Sequence, residues 1–324
     1  MRRPNLFIIG AAKSGTTSVY EWLKAHPEVY MSPAKEPRYF APDLYAGHPH
    51  DLQYGIDEAR YLALFAGTTD EQRIGEASPR YIYSHDAPRL IHEFEPRARI
   101  VALVRNPVEM IYSLHNQLVS EGVEEITDFE AALAAEDDRR AGRRMVPPMT
   151  SPKMRLYRDQ GRFGEQLARW LSIFERDQVQ VIVFEDLANE PAETYRQLLE
   201  FLDIDAAFKP ASFAAQNLSW TPRSQRLRRL TQAGPAKWLA YRALPSILGE
   251  GAARRLARAF RYSPIYRKAR PRSALTAELR RQLETEFEPD VQRLGEIIGR
   301  DLVKLWFGRR AAVATPAAQP ERSG

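Results

Sequence analysis

The sequence predicts an α/β protein: a parallel β-sheet flanked by helices on both faces and continued by a helical C-terminal extension. Three observations carry this prediction. First, three short apolar runs, Asn5–Gly10, Arg99–Val104 and Val179–Phe184, have the length and composition of buried strands. Second, each run is followed by a helical pattern, and strands alternating with helices argue for a parallel sheet covered on both sides. Third, from about residue 224 onward the pattern is helical only.

Taken in order, Asn5–Gly10 is apolar and closed by glycine. The charged start followed by this run looks superficially like a signal peptide, but the run is too short and Lys13 follows at once, so it reads as a first strand. Thr16–Ala25 reads as a helix, Arg73–Glu76 as a short strand and Ala87–Glu95 as a helix. Arg99–Val104 is a strong strand. Pro107–Val119 follows as a helix, with Asn106 placed to cap it and Pro107 at its first position. Gly142–Met154, with two prolines and no apolar period, predicts a flexible loop. Arg162–Arg176 is an amphipathic helix leading into the strand Val179–Phe184, and Pro191–Leu202 is helical. Thr276–Ile298 is the last long helix, and 311–324 has the composition of a disordered tail. The expected organisation is an α/β domain over 1–232 and a basic helical extension over 233–310 packed on it. There is no internal repeat.

Composition narrows the function classes. With 44% hydrophobic and 27% charged residues over 324 positions, the chain can bury most of its apolar surface. No apolar run approaches the ~20 residues that cross a bilayer. The absence of cysteine excludes disulfides, thiolate metal sites and cysteine nucleophiles, and it fits a cytoplasmic location. The net charge of +5 conceals an asymmetry. Residues 223–272 hold 14 Lys+Arg against the single acid Glu250, or +13, which leaves −8 for the rest. In the same region Ala236–Leu248 is apolar and aromatic with basic punctuation, and Arg254, Arg255, Arg258 and Arg261 favour one helix face. Such a block suits peripheral contact with an anionic membrane, a lid over an acceptor, or a solvated basic face. No nucleic-acid-binding motif accompanies it.

The first strand runs into Gly10-Ala11-Ala12-Lys13-Ser14-Gly15-Thr16-Thr17 and then a helix. A glycine-bearing turn at a helix N-terminus presents backbone N–H groups to an anion. Gly10, Gly15 and Thr17 fit the nucleotide pattern G-x-x-x-x-G-K-[ST], but position 16 is Thr and the lysine stands at 13. The strand Arg99–Val104 ends in Arg105-Asn106-Pro107, a cation where a magnesium site would need a carboxylate. That argues for recognition of a second anion by Arg105, with the Ser113 hydroxyl within reach on the following helix.

These residues resemble the sulfotransferases that use 3′-phosphoadenosine-5′-phosphosulfate (PAPS). Lys13-Ser14-Gly15-Thr16-Thr17-Ser18 resembles their 5′-phosphosulfate loop, and Arg105-Asn106-Pro107 through Ser113 resembles their 3′-phosphate motif. Lys35-Glu36-Pro37-Arg38-Tyr39-Phe40, Gly75-Glu76-Ala77-Ser78-Pro79, Glu185-Asp186-Leu187 and Asn217–Ser224 are similar to further stretches of the family. The likeness is strongest to the carbohydrate branch, the heparan sulfate enzymes and their bacterial relatives, over about 4–230. It implies a P-loop-like fold, PAPS as donor, PAP as product and no metal. It further implies that Lys13 neutralises the bridging oxygen as the donor bond breaks, and that Ser14, Gly15, Thr16, Thr17 and Ser18 form the 5′-phosphate cradle. Arg105, Ser113, Arg223 and Ser224 would hold the 3′-phosphate, and Glu36 would be the base. The acceptor implied is a carbohydrate or glycolipid hydroxyl, or an amine.

Other branches use a histidine base, but the six histidines, His26, His48, His50, His85, His92 and His115, offer no equivalent. His26 reads as closing the first helix, and His115 points away from Ser113. Two departures stand out. Eukaryotic 3-O-sulfotransferases carry a functional lysine where this chain has Ala77, and a disulfide near the 3′-phosphate loop that a chain without cysteine cannot form. Glu76 and Arg80 remain as acceptor contacts. The alternatives are a magnesium-dependent P-loop kinase acting on a small molecule, or a non-catalytic polyanion- or membrane-binding protein on the same fold.

Overall fold

The computed structural model describes residues 2–45, 57–121, 123–143, 151–213 and 275–308, together with the backbone of 221–222 and 267–268. Arg223, Ser224, His48, His50, most of the basic block and the 311–324 tail lie outside the described residues.

The centre is a five-stranded sheet of β1 (Leu6–Gly10), β2 (Val29–Met31), β3 (Arg73–Ala77), β4 (Arg99–Val104) and β5 (Val179–Val183). Its order is β2-β3-β1-β4-β5, and all four pairings are parallel. Every strand therefore delivers its C-terminal end to the same edge. β1 connects toward the β3 side and β4 toward β5, so the switch point of the topology lies between β1 and β4. Ligands of open α/β sheets bind outside the carboxyl ends at such a point.

Both faces are covered, as the near-continuous apolar strands require. Leu6 and Ile8 point to one core with Val19, Trp22 and Leu23 of α1 (Thr16–Lys24) and Tyr195, Leu198 and Leu199 of α11 (Pro191–Phe201). Phe7 and Ile9 point to the other. There they meet Ile111 and Leu114 of α5 (Pro107–Glu121), Leu167 and Trp170 of α9 (Phe163–Leu171), and Leu283 and Phe287 of α12 (Ala277–Ile298). Each fully buried side chain of this kind contributes roughly 1.5–3 kcal/mol.

Smaller helices fill the connections: α2 (Pro42–Tyr45), α3 (Glu58–Ala63), α4 (Ala87–Phe94), α6 (Phe129–Ala134), α7 (Glu136–Arg140), α8 (Tyr157–Gln160) and α10 (Phe184–Asn189). The chain closes with α13 (Leu302–Phe307). α12 begins at Thr276, whose hydroxyl accepts the Leu279 N–H at 3.2 Å, and it stops at Gly299 in the left-handed conformation. Its Asp290 accepts the N–H groups of Gly164 and Glu165, capping α9 from outside. The final turns reach the sheet edge. The Asn106 amide donates to the Trp306 carbonyl, the Trp306 indole donates to Glu185, and Arg300 pairs with Asp186.

Several expectations change. The edge strand β2 and helix α10 carry no sequence signal long enough to predict them. The helix expected over Arg162–Arg176 ends at Leu171, and a short 3₁₀ turn at Arg176–Gln178, closed by a Glu175–Gln178 capping box, precedes β5. The helices-only reading beyond 224 is corrected by β7 (Arg267–Lys268), which pairs antiparallel with β6 (Thr221–Pro222). Two residues of pairing are too short for a periodic pattern to reveal. In the expected loop Gly142–Met154, the described C-terminal part enters a 3₁₀ turn at Pro152–Arg155.

Candidate active site

The turn after β1 supplies the first wall. Gly15 caps α1 at φ 95°, and a Cβ there would lie 2.5 Å from Leu187 Cδ2, so glycine is required on both counts. As a glycine, Gly15 lends no side-chain cap, and the positive dipole end of α1 lies at this turn. The Ser14 hydroxyl is fully buried with no hydrogen-bond partner among the described residues. Left-handed Lys13 (φ 65°) lends its carbonyl to Arg105 Nη1 at 3.3 Å. A glycine-only helix end, an unsatisfied buried hydroxyl and two cations together fit a phosphate ester.

Arg105 comes from the end of β4. Its guanidinium lies over the Phe184 ring, 4.5 Å from the centroid, which fixes the fork beside the loop. Asn106 caps α5 as expected, its side chain accepting the Val108 N–H at 3.0 Å. Ser113 is buried on α5. The structure thus brings Lys13, Ser14, Gly15, Thr16, Thr17 and Ser18 to the same edge as Arg105.

The second wall is the segment after β2. The Glu36 N–H donates to the Ala77 carbonyl at 3.0 Å, which ties the segment to the end of β3. Glu36 and Arg38 are both left-handed (φ 60° and 61°), and Arg38 Nη2 donates to Glu36 Oε2 at 2.5 Å. Burial alone would raise the Glu36 carboxyl. Arg38, aided by Lys35 and Arg80, outweighs burial and holds it below the usual carboxylate range. Glu36 is therefore ionised near neutrality while about a third exposed. Of the four non-glycine residues with positive φ among the described residues, three are Lys13, Glu36 and Arg38. Backbone strain of this kind concentrates at functional sites.

One residue escapes motif reasoning. The Lys35 ammonium donates to Thr17 Oγ1 in the first turn of α1 and faces the Tyr20 ring. Burial lowers its pKa, against the opposing pull of Glu36 and Glu21. It joins the two walls, so the carboxylate at 36 sits next in sequence to a contact with the first turn of α1. The only signal in the sequence was the Lys-Glu pair itself.

The expectation that Glu76 touches the acceptor is corrected, because its side chain is 0% exposed. Arg80 instead donates to Gln160 at 2.7 Å. These two residues border a small recess with Ala11, Ala12 and Tyr83, and Tyr83 also lines a neighbouring cleft of about 370 Å³ with His85, Arg140 and Lys153. His26 accepts the Glu28 N–H and closes α1, and His115 is buried against Ile126 and Phe129, away from the site. No group of three His, Asp or Glu that could hold a metal occurs among the described residues, and no described helix is long and apolar enough to cross a membrane.

Residues 3–225 match the family model described as "Sulfotransferase domain". Human heparan sulfate glucosamine 3-O-sulfotransferase 6 is 28% identical over 205 residues, covering 63% of this chain and 53% of that protein. Human carbohydrate sulfotransferase 15 is 25% identical over 256 residues, covering 62% and 44%. The chain thus spans about half the length of these relatives. A crystal structure of a sulfotransferase from Alicyclobacillus acidocaldarius superposes with a TM-score of 0.69 at 27% identity, covering 95% of this chain and 100% of that one.

Proposed function

The chain belongs to the sulfotransferase family, and we propose that it moves a sulfuryl group from PAPS to a hydroxyl or amine of a carbohydrate or glycolipid acceptor, with Glu36 as base. The observation that carries this reading is the Lys35 bridge. It sets an ionised carboxylate one residue from a contact with the anion loop, so a base and a donor cradle share one edge of the sheet. The carbohydrate acceptor rests on the likeness to a heparan sulfate and a carbohydrate sulfotransferase.

PAPS, when bound, supplies a sulfuryl group on a 5′-phosphate that departs as PAP. The roles of the protein follow from its own residues. Gly15, Thr16 and Thr17 offer backbone N–H groups to the 5′-phosphate, with the Ser14 and Ser18 hydroxyls beside them. Lys13 and Lys35 place positive charge where the departing phosphate gains negative charge, which is the form of stabilisation that lowers a barrier most. Arg105, Ser113, Arg223 and Ser224 hold the 3′-phosphate. Glu36 takes the acceptor's proton as the new bond to sulfur forms, and Arg38 keeps it ionised beforehand.

Titration calorimetry with PAP tests this reading. Binding that persists in EDTA, without ATP turnover, is expected. ATP hydrolysis that requires magnesium would instead favour the kinase alternative.

A further inference from the structure

Glu76 is a fully buried carboxylate near the site, and among the described residues no cation pairs with it. Three hydroxyls from two other segments and its own strand end hold it. Tyr61 on α3 donates at 3.1 Å, Tyr81 at 2.8 Å and Ser78 at 2.7 Å. Two of these hydroxyls then turn their lone pairs to the segment that carries Glu36. Ser78 Oγ accepts the Arg38 N–H and Tyr81 Oη accepts the Phe40 N–H, both at 3.2 Å.

A hydroxyl has one proton. Glu76 takes the proton of Ser78 and that of Tyr81, which obliges each oxygen to act as acceptor toward the loop. The loop needs such anchors, because Glu36 and Arg38 hold left-handed φ values that no glycine relieves. Burial pushes the Glu76 carboxyl up to about 7, with the Glu36 charge adding to the rise and the three hydroxyls opposing it.

We propose that Glu76 is a positioning residue: it orients the Ser78 and Tyr81 hydroxyls, which fix the Arg38 and Phe40 amides and so aim the Glu36 carboxylate. This rests on Glu36 being the base, but its structural half can be tested without that assumption. A neutral amide at 76 has one acceptor end only. Its NH₂ end donates to a hydroxyl oxygen and leaves that hydroxyl's own proton without its acceptor, so the hydroxyl turns and its lone pair is no longer held toward the loop amide.

Glu76→Gln keeps the size of the side chain and serves as the main variant, with Ser78→Ala and Tyr81→Phe removing one relay each. Hydrogen exchange is the first readout. Peptides spanning 36–41 should exchange faster in Glu76→Gln, while those of α1 and β4 stay unchanged. Turnover with labelled PAPS is the second. A loss of about 10–100-fold in kcat is expected, the scale of a misaimed catalytic group, with PAP affinity within about twofold of wild type. The third is coupling: in a Glu36→Gln background the further change Glu76→Gln should cost less than about twofold. Unchanged exchange in the 36–41 peptides, or a full multiplicative loss in the double variant, overturns the proposal. If wild type fails to bind PAP, the sulfotransfer reading falls, and the exchange result still decides the positioning role.

Discussion

The proposed donor side takes its groups mainly from one short run, Gly10–Ser18, with Arg105 at the end of the neighbouring strand and Ser113 on α5. The base side holds a single carboxylate, Glu36, through the ends of two strands, the Tyr81 turn and α3. On the first, function comes from backbone geometry that a local sequence can encode. On the second, it comes from buried side chains far apart in sequence. The donor side should therefore respond to substitution mostly through charge, and the base side through loop geometry and protonation.

On the donor side the largest expected effect is at Lys13. Lys13→Ala should lower kcat by about 100–1000-fold, as loss of one group that stabilises developing charge does, with a smaller change in PAP affinity. Steady-state kinetics beside PAP calorimetry check this, and an equal loss in both would make Lys13 a binding group only.

Protonation comes next, and it belongs to the base side. The Glu76 carboxyl titrates near 7 in the folded protein, above its usual value near 4.5. Below about pH 4.5 both states are protonated and the group contributes nothing. Above about 7 both are ionised and the folded state bears the cost of the buried charge. Between these limits folding takes up a proton, so this group's contribution to stability improves as pH falls. Acidification from pH 8 to 5 should stabilise wild type relative to Glu76→Gln by up to about 3 kcal/mol. Urea melts of both proteins at the two pH values measure it, and a pH-independent difference would break the assignment.

A smaller effect is expected at Arg105, where a charge-assisted contact is worth roughly 1.5–3 kcal/mol. Arg105→Ala should weaken PAP about 10–100-fold while the 36–41 amides exchange as in wild type. A change in that loop would mean that the two sides are coupled more tightly than the Lys35 bridge implies.

The same contrast explains what was legible in the sequence. The loop, β1, β4, the Asn106 cap and α12 were readable because strand runs, glycines and caps are local signals. Glu36 was reached through resemblance, since a Lys-Glu-Pro segment has no period that marks a site. Glu76 was misplaced as an acceptor contact because a glutamate in a short strand gives no sign of burial, which is set here by Tyr61 and Tyr81 from elsewhere. The reach of Lys35 to Thr17 is likewise a tertiary contact across 18 positions. β2 and α10 were missed because three and six residues are too few to show periodicity.

The chemistry proposed for this sheet edge is sulfuryl transfer with Glu36 accepting the acceptor's proton. The most direct measurement is incubation of wild type and Glu36→Gln with ³⁵S-labelled PAPS and a cell extract, followed by mass spectrometry of the labelled product. Wild type should label a discrete carbohydrate or glycolipid product, and Glu36→Gln should bind PAP normally while losing about 100–10,000-fold in rate. Near-wild-type labelling by Glu36→Gln would contradict the account.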